Sequence, residues 1–240
     1  MDQNKLDKIE SLSWWYTNRS DGFLDFDEVL QLLRYRSISQ KFRGHACLEI
    51  APAQGVCTSK MKDVFTTLDL VDASQKLLDV IPDYPNVRKF RSLIEEFEPD
   101  RHYDTIVMDH LLEHLEFPVE ALRRVGGWLN EGGVLIVGVP NALSFHRLIG
   151  QKMGLLPTPY DLNERDITLG HYRVYDRDSL RAHAEEAGLR VVEEDGVYLK
   201  FLSNKQSGEI FDEKQIEAFY QLGIDFKKYC AEIYIYCEKK

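Results

Sequence analysis

Apolar residues fall along this chain in two rhythms, and their alternation sets the expected fold. Between residues 45 and 139, short runs that are apolar throughout alternate with stretches whose apolar positions recur at helical spacing. Ala46-Cys47-Leu48 with Ile50 predicts a first strand, Val64–Val71 a second, Val87–Phe90 a third, Thr105–Met108 a fourth and Val134–Val139 a fifth. Unbroken apolar runs suit strands covered by helices on both faces. Helices are predicted at Ser74–Ile81, stopped by Pro82, and after Pro118, where Val119, Leu122, Val125 and Leu129 share one side. The second of these is expected to stop at Asn130-Glu131-Gly132-Gly133. Strand and helix in this order make a parallel, doubly wound α/β sheet.

Both flanks depart from the alternation. Residues 1–43 predict a helical cap: Leu6, Ile9 and Leu12 approach helical spacing, Trp14-Trp15-Tyr16 follow, and a second helix is expected over Asp25–Tyr35. The aromatic cluster suits packing onto the main domain, with Tyr16 a candidate to line the substrate site. After the fifth strand, residues 141–177 carry Gly150, Gly154, Pro157, Pro159 and the polar run Asp161–Asp166. An irregular insertion directly after a strand's carboxyl end is placed to serve as a substrate lid. The pattern resumes with a helix at Asp178–Ala187, a strand at Arg190–Val197, a long helix around Asp212–Phe226 and a last strand at Glu232–Cys237. The domain reading is a cap over 1–43 and a main domain over 44–240, with the lid at 141–177.

Ligands of open α/β sheets bind outside the carboxyl ends of the strands, and Glu49, Asp72 and Asp109 fall there. After Glu49 the chain runs Ile50-Ala51-Pro52-Ala53-Gln54-Gly55, a small-residue turn that lets a ligand approach the backbone. Asp72 follows 23 residues on, with Asp69 as its competitor in the same strand. Two acids around such a turn suit a ligand carrying a ribose and an ammonium group. A net charge of −10 over 240 residues argues against a nucleic-acid grip. Cys47, Cys57, Cys230 and Cys237 show no metal or redox spacing and read as reduced, buried thiols. No apolar run reaches membrane-spanning length, and the first residues do not open a signal peptide. The expectation is a cytoplasmic monomer or homodimer without nucleic-acid or membrane partners.

Taken alone, His110-Leu111-Leu112-Glu113-His114 matches a zinc-protease signature, so a zinc hydrolase built on His110, Glu113 and His114 is one rival reading. The pattern begins at the end of a predicted parallel strand beside the small-residue turn, which weighs against it, and no metal is expected. The segments at Glu49–Gly55 and Asp72 resemble the first two motifs of class I S-adenosylmethionine (SAM)-dependent methyltransferases. Of that family's three alternating glycines only Gly55 is present, with Ala51 and Ala53 in place of the others. Asp104–Leu115, continued by Phe117-Pro118, Gly132-Gly133 and Val139-Pro140-Asn141, resembles a later segment of the same family. Pro140–Arg147 and Gly170–Tyr175 resemble a bacterial branch found among cell-surface polysaccharide genes. The resemblance covers about residues 44–205 and implies a Rossmann-like seven-stranded sheet with the last strand antiparallel. It implies SAM as cofactor, held by Glu49, Ala51, Gly55 and Asp72, with Asp109 and His110 beside its methyl end. A catalytically inactive SAM-binding partner protein is the second rival, raised by the missing glycines.

Methyl transfer is an in-line displacement, so a protein mainly aligns the nucleophile and shields it from water. A hydroxyl or a protonated amine also needs a base. His171, Tyr175 and His146 are the lid candidates for that role, His171 foremost; its bland alternative is to anchor the lid. Arg147 and Arg173 each follow a His in a lid motif and would bind a phosphate or carboxylate of the acceptor, joined by Lys200. The expected acceptor is a small anionic metabolite, a phosphoethanolamine-like amine or a nucleotide-linked sugar, methylated on an amine or hydroxyl.

Overall fold

The computed structural model describes residues 3–13 and 26–240. Trp14-Trp15-Tyr16, and with them the assignment of Tyr16 to the substrate, lie outside the described residues. Seven strands form one sheet: β1 (Ala46–Ile50), β2 (Thr67–Asp72), β3 (Val87–Arg91), β4 (Tyr103–Asp109), β5 (Leu129–Pro140), β6 (Leu189–Val197) and β7 (Glu232–Lys239). Their order is β3-β2-β1-β4-β5-β7-β6. The first five run parallel, and β7 enters antiparallel between β5 and β6. The doubly wound sheet expected from the sequence, with its antiparallel last strand, is the one the chain forms.

Side-chain alternation along the strands sorts the core into two layers. Leu48, Ile106, Leu135 and Ile235 face one layer, covered by α5 (Pro118–Gly127) through Leu122 and Val125 and by α8 (Arg177–Glu186) through Leu180 and Ala184. Cys47, Val107, Ile136 and Tyr234 face the other. That side is covered by α2 (Phe26–Ile38) through Leu30 and Leu33 and by α10 (Glu213–Asp225) through Ile216 and Tyr220. Short helices α3 (Thr58–Met61) and α4 (Gln75–Val80) follow β1 and β2, and α1 (Gln3–Leu12) lies at the amino-terminal side.

Three boundaries differ from expectation. The helix after Pro118 ends at Gly127, and Leu129 already pairs with Tyr103 as the first residue of β5. Gly132 and Gly133 belong to an irregular stretch of that strand, where a side chain on Gly133 would meet the carbonyls of Asn130 and Tyr103 at 3.0 Å. Two glycines thus mark a strand irregularity here rather than a helix stop. The second strand starts at Thr67, because Val64 lies in the exposed turn that closes α3. The insertion carries two helices, α6 (Phe145–Lys152) and α7 (Glu164–Leu169), and a further helix, α9 (Asn204–Ile210), follows β6. Among the described residues no helix is long and apolar enough to cross a membrane.

Candidate active site

A cavity of about 1480 Å³ opens at the carboxyl ends of β1, β2 and β4, beneath α6 and α7. Glu49, the penultimate residue of β1, is buried and accepts a hydrogen bond from the Thr58 hydroxyl at 2.5 Å. Burial pushes its carboxyl up to about 8. The turn that follows places Ala51 at φ 55° and Ala53 at φ 49°, in the left-handed region that glycine occupies without strain. Ala51, Ala53 and Glu49 all line the cavity. Gly55 does not; its φ of 77° and the Ile81 side chain, 2.8 Å from where a Cβ would sit, make glycine necessary for packing.

The competition between Asp69 and Asp72 is resolved by where each carboxylate is engaged. Asp69 accepts from Nε and Nη2 of Arg88, at 2.8 and 2.6 Å, and from the Tyr103 hydroxyl at 2.8 Å, away from the cavity. Asp72 lines the cavity, accepts the Ser74 N–H at 2.8 Å, and is pushed up to about 6 by burial.

Asp109 and His110, at the end of β4, both line the cavity and both belong to a buried network. Asp109 pairs with Arg34 of α2 at 3.1 Å and accepts the Tyr234 hydroxyl at 2.7 Å. Gly138 makes room for that bond, since any Cβ there would fall 2.3 Å from both Asp109 and Tyr234. His110 has φ 53°, and its Nε2 is hydrogen-bonded to Glu232 at the start of β7. Burial drives the His110 imidazole well below its ordinary value and pushes Glu232 up to about 7. Arg34, Glu232 and Tyr234 were not singled out from the sequence. One signal was available: because β7 is antiparallel, its first residue, Glu232, reaches the same sheet edge as the last residues of β1, β2 and β4.

The lid corrects three assignments. Arg147 is 6% exposed and points back into the lid: Nε donates to the Pro159 carbonyl, Nη2 to the Asp161 carbonyl and Nη1 to Asp166. It lines the cavity, but its guanidinium is spent on these lid bonds, which tie α6 to α7. Arg173 donates to the carbonyls of Leu115 and Glu116, tying the lid's far end to the loop after β4, and does not line the cavity. Tyr175 is 1% exposed, packed in the core with its hydroxyl 3.1 Å from His183 Nδ1, and is remote from any acceptor position.

His146, His171 and Lys200 do line it. The His146 Nδ1 is buried without a hydrogen-bond partner among the described residues, and burial keeps this imidazole well below its usual titration range. His171 lies edge-on to His114, ring centroids 4.5 Å apart, with Nδ1 3.5 Å from Asp166. The Lys200 ammonium is lowered to about 8 by burial, against the opposing pull of Glu232. In the zinc reading His110 would be a ligand, but its Nε2 is committed to Glu232.

Residues 23–194 match the model of a family described as a methyltransferase domain. The chain belongs to that family. Its similarity to individual methyltransferases is low. It is 23% identical over 164 residues to a ubiquinone biosynthesis O-methyltransferase of Rickettsia bellii, covering 62% of this chain and 67% of that protein. It is 27% identical over 130 residues to a malonyl-[acyl-carrier protein] O-methyltransferase of Halalkalibacterium halodurans, covering 50% of this chain and 48% of that one. Among solved structures, the N-methyltransferase NodS of Bradyrhizobium japonicum WM9, in complex with S-adenosyl-L-homocysteine (SAH), superposes with a TM-score of 0.60 at 16% identity. That match covers 97% of this chain and 98% of NodS. The methyltransferase CcbJ of Streptomyces caelestis superposes equally well, with a TM-score of 0.60 at 14% identity and 97% of each chain covered. Within the matched span, Glu49, Asp72 and Asp109 lie at strand ends and alanines hold two left-handed turn positions.

Proposed function

We propose that this methyltransferase domain uses SAM to methylate an oxygen or nitrogen of a small, negatively charged molecule enclosed beneath the lid. The observation that carries the reading is a single cavity of about 1480 Å³ that takes in three strand-end acids, the small-residue turn and the lid together. A single drug-sized ligand occupies a pocket of roughly 300–1,000 Å³, so a cofactor and an acceptor fit here side by side. The residues suit SAM: ionised Asp72 can accept from ribose hydroxyls, and Ala51 and Ala53 leave the turn's backbone open to a close-lying ligand. Bound there, SAM would supply an electrophilic methyl group to an acceptor lone pair.

The chain's own residues orient and enclose the acceptor. His146 lines the cavity as a neutral imidazole and can orient the acceptor or take its proton as the acceptor reacts. Lys200, still largely charged at pH 7, supplies the counter-charge for an anionic acceptor in place of Arg147 and Arg173. The surface-polysaccharide setting rests on the sequence resemblance at Pro140–Arg147 and Gly170–Tyr175, so phosphorylated amines and nucleotide-linked sugars are the first acceptors to assay. Titration calorimetry with SAH tests the cofactor half. Asp72→Ala is expected to weaken SAH binding at least tenfold with little change in melting temperature. Asp69→Ala is expected to lower the melting temperature, since Arg88 and Tyr103 lose their partner, with SAH affinity kept. SAH affinity unchanged by Asp72→Ala rules out the ribose assignment.

A further inference from the structure

Three side chains at the lid end of the cavity take no part in the reading above. Glu113 and His114 lie in the tight turn after β4, and His171 enters from the loop after α7. One oxygen of Glu113 and one ring nitrogen each of His114 and His171 lie within 4.8 Å of one another, and all three residues line the cavity. Glu113 is 1% exposed, yet among the described residues neither carboxyl oxygen has a hydrogen-bond partner beyond Glu113 itself. The imidazole nitrogens beside it, His110 Nδ1 at 3.6 Å and His114 Nε2 at 4.0 Å, stand beyond hydrogen-bond range. A buried carboxyl left bare in this way is costly and calls for something to bind it.

The surroundings hold the two imidazoles as a cation site would. Asp166 stands 3.5 Å from His171 Nδ1 and is itself fixed by Arg147 and by the capping box of α7. The carbonyls of Leu169 and Gly170 stand beside the His114 ring. A carboxylate or carbonyl behind each imidazole is the arrangement that orients metal-ligating histidines. The Tyr172 N–H donates to the Glu113 carbonyl at 2.8 Å, which pins the lid strand carrying His171 against the turn carrying the other two groups.

We propose that Glu113, His114 and His171 bind a divalent transition-metal cation. Two imidazoles and one carboxylate favour zinc, cobalt or iron over magnesium or calcium, which prefer all-oxygen sites. Three protein ligands leave at least one position open toward the cavity, where an oxygen of the acceptor can bind. That last step rests on the methyl-transfer reading; the binding of the cation does not. The site is not the His110–Glu113–His114 set of the zinc signature, because His110 is turned to Glu232 and His171, 57 residues beyond His114, takes its place.

The test uses the full chain after chelator treatment, titrated with Zn²⁺ by calorimetry and with Co²⁺ by visible absorption, with SAH binding measured in parallel. One ion per chain is expected, with a cobalt spectrum of imidazole and carboxylate ligation that needs no variant to read. Glu113→Gln, His114→Ala and His171→Gln are each expected to weaken Zn²⁺ binding at least tenfold while SAH affinity stays within about twofold. Absence of ion binding by the wild-type chain, or equal binding by all three variants, overturns the inference. SAH binding without ion binding removes this site and leaves the methyl-transfer reading intact. Ion binding at these residues without SAH binding supports the site and removes that reading.

Discussion

Ala51 and Ala53 hold backbone conformations that glycine adopts freely, at φ 55° and 49°. A left-handed conformation costs a non-glycine residue about 1–2 kcal/mol, while glycine's extra freedom in the unfolded chain costs about 0.4–1 kcal/mol. Ala53→Gly is therefore expected to stabilise the protein by about 0.5–1 kcal/mol, a rise in melting temperature of about 1–4 °C for a chain of this size. A thermal melt checks it, and a fall instead of a rise would mean that the turn is not strained. Glu49 supplies a second prediction, because burial raises its carboxyl from 4.5 to about 8. Between those values the folded protein holds a proton that the unfolded chain releases, so stability falls as pH rises across the window. Glu49→Gln keeps an acceptor for Thr58 and removes the titration. Melts of the ligand-free protein at pH 5 and pH 8 should then lie closer together for the variant than for the wild type.

At the scale of elements, one side chain ties the two helices of the lid to each other. Arg147 on α6 reaches the carbonyls of Pro159 and Asp161 and the carboxylate of Asp166 on α7, all from a position 6% exposed. Breaking a buried, hydrogen-bonded ion pair by removing one partner costs about 3–5 kcal/mol. The loss in Arg147→Ala is local to the lid, so hydrogen exchange across residues 153–170 should accelerate strongly while β1, β4 and β5 stay protected. Arg147→Lys should fail to restore protection, because a single ammonium cannot reach three acceptors in a planar fork. Uniform acceleration across the sheet would show that Arg147 supports the whole domain. The lid's internal order was not legible in the sequence. Its glycines and prolines marked irregular chain, yet Asn163 and Asp166 close a capping box that starts α7.

At the scale of the molecule, α1 bridges separate walls of the cavity. Ile9 and Leu12 line it, the Glu10 carboxylate accepts the Lys76 N–H at 3.3 Å, and Leu12 lies against Gly170 at the end of α7. Leu6 seats this helix, buried at 3% exposure. Leu6→Asp should unseat α1, weaken SAH binding several-fold and leave the sheet's melting transition nearly unchanged. Unaltered SAH affinity would show that α1 only covers the site.

The strands and the acids that end them were written in the local sequence. Apolar runs declare buried strands, and a parallel sheet brings the carboxyl ends of β1, β2 and β4, with Glu49, Asp72 and Asp109, to one edge whatever else the chain does. Which charged groups face the cavity was decided only by tertiary structure. Arg147 and Arg173 look like anion ligands in the sequence, but the carbonyls that occupy them, at Pro159, Asp161, Leu115 and Glu116, come into reach only along the folded path of the lid. Asp69 and Asp72 lie three residues apart, and the alternation of a strand points them to different surroundings, one to Arg88 and one to the cavity. Arg34, His110 and Glu232 come from α2, the turn after β4 and β7, and Glu113 meets His171 across 58 residues. No local pattern records such meetings, because the distance between two side chains on different elements is set by how the sheet and its helices pack.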